Sequence, residues 1–216
     1  MRHITTRQTK RAGRGKPLET LEPLAGLILC AILTPPLWAN DDGALTDVML
    51  GHLNKLIVVF DTIQDPEQQR REVGTVVDFG AITRGVIGKH RQSMSPIQQN
   101  RFQAEFEKSI THLLATALQD GEEYVVTIER IRRSTKNPDR AQVLGVMTTP
   151  GQDRFELLTT TARSGDTWLV RNLTVNGVNL GITYRTQFNE LVTRHAGDFD
   201  TAIAAWAASL ADKNSS

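Results

Sequence analysis

One cysteine, Cys30, occurs in the 216 residues, and it sits within the apolar stretch LAGLILCAILTPPLWA of residues 24–39. Beyond that stretch there is no thiol, which excludes disulfides, cysteine nucleophiles and thiolate metal sites from everything downstream. The chain also lacks a GxSxG turn, a glycine-rich loop closed by lysine and serine, an HExxH helix and paired histidines at metal-ligand spacing. Gly177 and Gly181 come nearest to a phosphate cradle, but the lysine and hydroxyl pair that must follow is missing. Aromatic residues make up 6% of the chain, and none interleaves with Arg130, Arg132, Arg133, Lys136 and Arg140, so that basic run has no platform on which bases could stack. No internal repeat is present.

The formal net charge of +1 hides an uneven distribution. Arg2, Arg7, Lys10, Arg11, Arg14 and Lys16 face only Glu19 and Glu22 before Ala39; taking these from 25 basic and 24 acidic residues leaves 19 and 22, a net of −3. That acidic balance argues against nucleic acid as a partner. The basic segment, the short apolar core and the abrupt change to Asn40, Asp41 and Asp42 form the pattern of an export signal, and the core is too short to anchor stably across a bilayer. Cleavage is expected after Ala39, although Leu37 is bulkier than the small-residue rule prefers, and Leu29 before Cys30 argues against lipid attachment. Residues 1–39 are read as signal peptide, 40–211 as one domain able to bury a single core, and 212–216 as a disordered tail.

Downstream, hydrophobic periodicity separates helices from strands. Leu45, Val48, Met49, His52, Leu53, Leu56, Ile57 and Phe60 make a helical stripe. Asp65 before Pro66, with Gln68 in the third helical place, starts a second helix. Asp78 caps a short third helix carrying Phe79, Ile82, Val86 and Ile87, ending near Gly88. Ser95 and Gln98 have capping-box spacing, and Phe102, Phe106, Ile110, Leu113, Leu114 and Ala117 predict a long amphipathic helix over 96–118. After Gly121 the period becomes two, with Tyr124, Val126 and Ile128 on one side. Similar runs over 141–149, 154–162 and 167–175, separated by polar loops, predict four strands of an antiparallel meander. Two helices follow, one with Tyr184, Phe188, Leu191, Val192 and His195, the other capped by Asp198 with Phe199, Ile203, Trp206 and Leu210.

This order gives an α+β class: a curved four-stranded antiparallel meander sheet flanked by N-terminal and C-terminal helices. A twisted sheet curls away from straight helices, so an apolar pocket is expected between the layers unless large side chains fill it. The carboxylates read as caps and surface groups. Asp78 beside Phe79 is the exception, since burial in such a hollow would raise its pKa and suit an isomerase-like enzyme. His52, His112 and His195 fall in or beside apolar stripes and His90 follows a helix end, all structural places. The basic hairpin reads as a solvated loop or as a contact for acidic partners or anionic headgroups.

The segments VVDFGAITRGVIGKH (76–90), SPIQQNRFQAEFEKSI (95–110) and WLVRNLTVNGVNLGITYRTQFNELVTRHAGDFDTAIAAW (168–206) resemble the MlaC or toluene-tolerance family, the periplasmic phospholipid-binding component of the Mla lipid-transport pathway. The marks are Asp78 and Phe79; Gln98 with Phe102 and Phe106; Trp168 with Val170; Gly177, Val178 and Leu180; Arg185 with Phe188; and Gly197. The resemblance implies a soluble, non-enzymatic, monomeric carrier. It would hold phospholipid acyl tails inside and shuttle lipid between an outer-membrane lipoprotein complex and an inner-membrane ABC transporter complex, maintaining outer-membrane asymmetry without cofactor or metal. His90 stands where the family often has an aromatic, and Leu113 and Leu114 where a tyrosine is frequent, so a hopanoid-type cargo on the same framework stays open. On this reading the pocket is lined by Phe79, Ile82, Val86, Phe106, Ile110, Leu114, Tyr124, Val126, Leu157, Trp168, Val170, Val178, Leu180, Tyr184 and Phe188. Arg185, Arg130 and Arg132 are candidate headgroup or partner contacts, with a local carboxylate the expected partner of Arg185.

Overall fold

A computed structural model of the chain describes residues 41–118, 125–148, 151 and 153–213. The expected signal peptide, Tyr124, Thr149 and residues 214–216 lie outside the described residues. Helix α1 (Asp41–Thr62) is followed by α2 (Pro66–Val73), whose first turn is closed by the Asp65 side chain accepting the Glu67 N–H at 3.1 Å. Helix α3 (Phe79–Ile87) starts where Asp78 Oδ1 accepts the Ala81 N–H at 2.9 Å and stops at Gly88, whose φ of 55° favours glycine. A 3₁₀ turn (Gly88–Gln92) leads to α4 (Pro96–Leu118). There the capping box is reciprocal: the Gln98 N–H donates to Ser95 Oγ at 3.2 Å and the Ser95 N–H to Gln98 Oε1 at 3.0 Å.

Strands β1 (Val125–Arg133), β2 (Arg140–Thr148), β3 (Arg154–Ser164), β4 (Thr167–Val175) and β5 (Val178–Asn179) follow, then α5 (Leu180–Arg194) and α6 (Phe199–Lys213). The sheet is an antiparallel meander in the order β1-β2-β3-β4-β5. It has five strands rather than four. Asn176 and Gly177 both take positive φ, 48° and 81°, the geometry of a two-residue hairpin turn, and fold the chain straight back onto β4. Helix α6 is helical through Asp212 and Lys213, two residues into the expected tail.

The new corner is held by two asparagines. Asn179 Oδ1 accepts the Ile182 N–H that opens α5 and also the Asn172 amide at 3.0 Å, while Asn172 Oδ1 accepts the Gly181 N–H at 3.1 Å. A Cβ at position 181 would lie 2.6 Å from Asn172 Oδ1, so any other residue there must displace the Asn172 side chain. At the other end of the helical layer, Val77 bridges Val170 in parallel, with the Asp78 N–H on the Val170 carbonyl and the Val170 N–H on that of Val76, both at 2.9 Å. This bridge fixes α3 against the sheet.

Two apolar clusters hold the layers together. The larger joins Phe60, Val73, Val76, Phe79, Val86, Phe102, Phe106, Phe188, Ile203 and Trp206 from α1 through α6. In it Phe106 stacks on Trp206, centroids 5.4 Å apart at 13°, and Tyr184 meets Phe106 edge-on at 5.5 Å. The smaller lies under the N-terminal half of α1, where Leu45 and Met49 cover Ala141, Val143 and Trp168.

Candidate functional site

Strand register shows which side chains share the helix-facing side of the sheet, because directly opposed residues lie on one face. Four transverse rows result: Arg133–Ala141–Thr161–Val170, Ile131–Val143–Thr159–Leu173, Ile128–Gly145–Leu157–Val175, and Val126–Met147–Phe155. Bulges at Ile128/Arg130 and Thr160/Thr161 keep the rows in phase and increase the local curl. The first two rows are covered in part: Ala141, Val143 and Ile131 by α1, Val170 by the helical cluster. Ile128 of the third row also packs against the α1 cluster, but the remaining apolar residues of the last two rows, and Leu173 at the end of the second, do not. Val126, Met147, Phe155, Leu157, Leu173 and Val175 are half-buried and belong to neither packed cluster.

These six half-buried apolar side chains therefore share the sheet face that also carries Val170, which packs against the helical cluster. Gly145 lies in the middle of this face between Ile128 and Leu157 and contributes no side chain. A Cβ there would come within 3.1 Å of the Thr127 carbonyl and 3.5 Å of Ile128 Cδ1, so the glycine admits close strand approach beside the bulge.

Of the fifteen residues expected around a pocket, nine converge on the helical cluster: Phe79, Val86, Phe106 and Phe188 in its buried centre, and Ile82, Ile110, Leu114, Val170 and Tyr184 at its partly buried margin. Phe79, Phe106 and Phe188 join a set of ring contacts through Phe102, and Val86 is buried in the same cluster. Burial pushes the Tyr184 hydroxyl above its ordinary pKa, keeping it neutral. Val126 and Leu157 lie on the half-buried sheet face, Leu180 is half-buried at the α5 corner, and Tyr124 is outside the described residues.

Two of the expected residues lie elsewhere. Trp168 belongs to the α1 cluster, flanked by the guanidiniums of Arg133 and Arg163 at 5.3 and 5.2 Å, because its register places it beyond the first row. Val178 is 55% exposed, on β5, the last strand of the sheet. Sequence reading missed Met147, Phe155, Leu173 and Val175. Their alternation was visible, but which phase faces the helices depends on register and bulges.

The charged candidates also settle into place. Arg185 donates from Nε to the Gly85 carbonyl at 2.7 Å, tying α5 to the last turn of α3, so its partner is a backbone carbonyl and not the carboxylate expected. Arg130 and Arg132 lie on the opposite face of the sheet from Val126 and Leu157, paired across from Leu144 and Gln142. Asp78 does not sit in an apolar hollow: while Oδ1 caps α3, Oδ2 accepts from both Nε and a terminal nitrogen of Arg171 at 2.9 Å. An open cleft of about 360 Å³ beside it is lined by Arg70, Arg71, Gln103 and Glu107 as well as Phe79, and so is largely polar. His52 donates from Nε2 to the Trp168 carbonyl at 2.6 Å, and His90 packs edge-on to Phe188 and Phe199, both structural roles as expected. Among the described residues no cluster of three or more potential metal ligands occurs.

A model of the MlaC protein family matches residues 60–208. The chain belongs to the MlaC family. The matched span takes in all five strands and α2 to α5, whereas most of α1, including the Leu45 and Met49 cover over Trp168, lies before it. The toluene tolerance protein Ttg2D of Pseudomonas putida is 30% identical over 142 residues, and the chain spans 65% of the length of that relative. A solved phospholipid-binding protein from Ralstonia solanacearum, in complex with a phospholipid, shares the MlaC-family fold seen here. Its TM-score is 0.65 at 17% identity, covering 77% of this chain and 98% of that one.

Proposed function

We propose that this MlaC family member is a non-enzymatic glycerophospholipid carrier that lays acyl chain along the trough formed by Val126, Met147, Phe155, Leu157, Leu173 and Val175. The observation that carries the reading is that these six half-buried apolar side chains share one sheet face and join neither packed cluster. Its relatives support it: one is named for toluene tolerance, and a protein of the same fold was solved with phospholipid bound. Burying a methylene is worth about 0.8 kcal/mol, so one chain of roughly 16 carbons carries on the order of 12 kcal/mol of hydration penalty. A carrier must offset much of that and still release its cargo. A trough bordered by side chains that are only half-buried suits this better than a sealed core. The headgroup stays in water, and no group in the trough performs chemistry.

In this reading the mature domain, residues 40–211, is exported to the periplasm by the signal peptide and acts as a monomer. It moves lipid between an outer-membrane lipoprotein complex and an inner-membrane ABC transporter complex, maintaining outer-membrane lipid asymmetry. Organic extraction of the purified mature protein, followed by mass spectrometry, should yield co-purified phospholipid. Leu157→Asp and Met147→Glu, at half-exposed positions, should abolish lipid uptake from vesicles while the far-UV circular dichroism is unchanged. Protein that is lipid-free as isolated and takes up none from vesicles would defeat the proposal.

A further inference from the structure

β1 is the first strand of the sheet, and among the described residues no partner pairs with its outer edge: residues 125–133 make no backbone hydrogen bond there other than within the ladder to β2. That edge carries an unbalanced charge. On the face away from the trough, Arg130 and Arg132 project at alternate positions of β1, and Arg140 projects from β2 on the same face, a diagonal neighbour of Arg132 at about 7–8 Å. All three are exposed, as is Lys136 in the connecting loop. Among the described residues the neighbouring carboxylates are already committed: Glu129 to Arg154, Asp139 to Arg163 and Asp42 to Arg133. Arg130, Arg132, Lys136 and Arg140 have no salt-bridge partner among the described residues. Like charges held this close repel, a cost that an incoming set of carboxylates would remove.

We propose that the β1 edge is a docking strip for an extended acidic segment of a partner protein. The segment adds as a further strand, its backbone completing the ladder while carboxylates at alternate positions meet Arg130 and Arg132, with Arg140 and Lys136 adding to the field. The main chain supplies a register-fixed anchor, and the spacing of two residues along β1 selects acidic side chains at the same spacing. Charge complementarity makes association fast and sensitive to salt. Because the strip lies on the opposite face from the trough, docking leaves the trough unobstructed, and the inference stands whether or not lipid is the cargo.

The test uses the mature chain and a fluorescent ten-residue peptide alternating glutamate with threonine and valine, followed by anisotropy. The peptide should bind, losing affinity about tenfold or more when salt rises from about 50 to about 500 mM and in the Arg130→Glu/Arg132→Glu variant. Methylation of the peptide's outward-pairing amides should also weaken binding, a change that simple charge attraction would not register. Anionic vesicles of phosphatidylglycerol serve as competitor. The proposal is overturned by any of four results: no peptide binding; binding unaffected by the charge reversal; binding indifferent to amide methylation; or vesicles that bind through the same arginines and displace the peptide. If Arg130→Thr/Arg132→Thr aggregates and the native protein binds no peptide, the arginines only guard an exposed edge, and the proposal likewise fails.

Discussion

Asp78 illustrates how a single carboxylate can look catalytic in sequence and be structural in space. Its two oxygens are divided between the first turn of α3 and the Arg171 guanidinium, and the adjoining backbone bridge to Val170 fixes it at the joint between helices and sheet. Asp78→Ala should cost about 1–3 kcal/mol in urea unfolding through loss of cap and ion pair, while lipid co-purification persists in the folded fraction. Asp198 caps α6 in a different setting. Its pKa is held below the ordinary 3.8, first by the Thr201 hydroxyl and next by the Thr201 backbone N–H. A carboxylate depressed in the folded state stabilises fully above its unfolded pKa and loses that contribution as pH falls through the depressed value. Asp198→Asn should therefore flatten the fall of melting temperature on the acid side of about pH 4, and leave the shape of the profile near neutrality unchanged.

At the scale of elements, α4, α5 and α6 form one aromatic block, since Phe102, Phe106, Tyr184, Phe188 and Trp206 lie within a contiguous set of ring contacts. Trp206 is fully buried at its centre. Trp206→Ala should destabilise by about 3–5 kcal/mol, measured by chemical denaturation, because the neighbouring rings cannot close the space. The sheet behaves otherwise, as Val126, Met147, Phe155, Leu157 and Val175 of its distal rows are half-buried and join neither packed cluster. The helices were legible from capping and period, as Ser95 with Gln98 and the stripe from Phe102 to Leu114 show. The fifth strand was missed even though Asn176-Gly177 is a hairpin signal, because a two-residue strand carries no alternation of its own.

Among the described residues the helical layer is closely packed, whereas the sheet face that carries Val126, Met147 and Leu157 is only half-buried. Ligand that binds the folded state alone raises its stability by mass action. Delipidated protein should thus melt lower than protein as isolated, recover in a concentration-dependent way when short-chain phosphatidylglycerol is added, and show no recovery in Leu157→Asp. An unchanged melting temperature across the titration would separate the trough from lipid binding.

Sequence by itself determined the elements, their caps, the α+β order and the family resemblance, because each rests on contacts within a few residues or on a motif read along the chain. It also placed Phe79, Phe106, Tyr184 and Phe188 in one locality. Only tertiary structure decided that these four belong to the aromatic core and its margin while Met147, Phe155, Leu173 and Val175 share the half-buried sheet face, and that Trp168 belongs under α1. The physical reason is register: strand residues alternate faces with a period of two, so a bulge or a shift of one position exchanges inside for outside, and nothing local in the chain records which alternative the pairing chose.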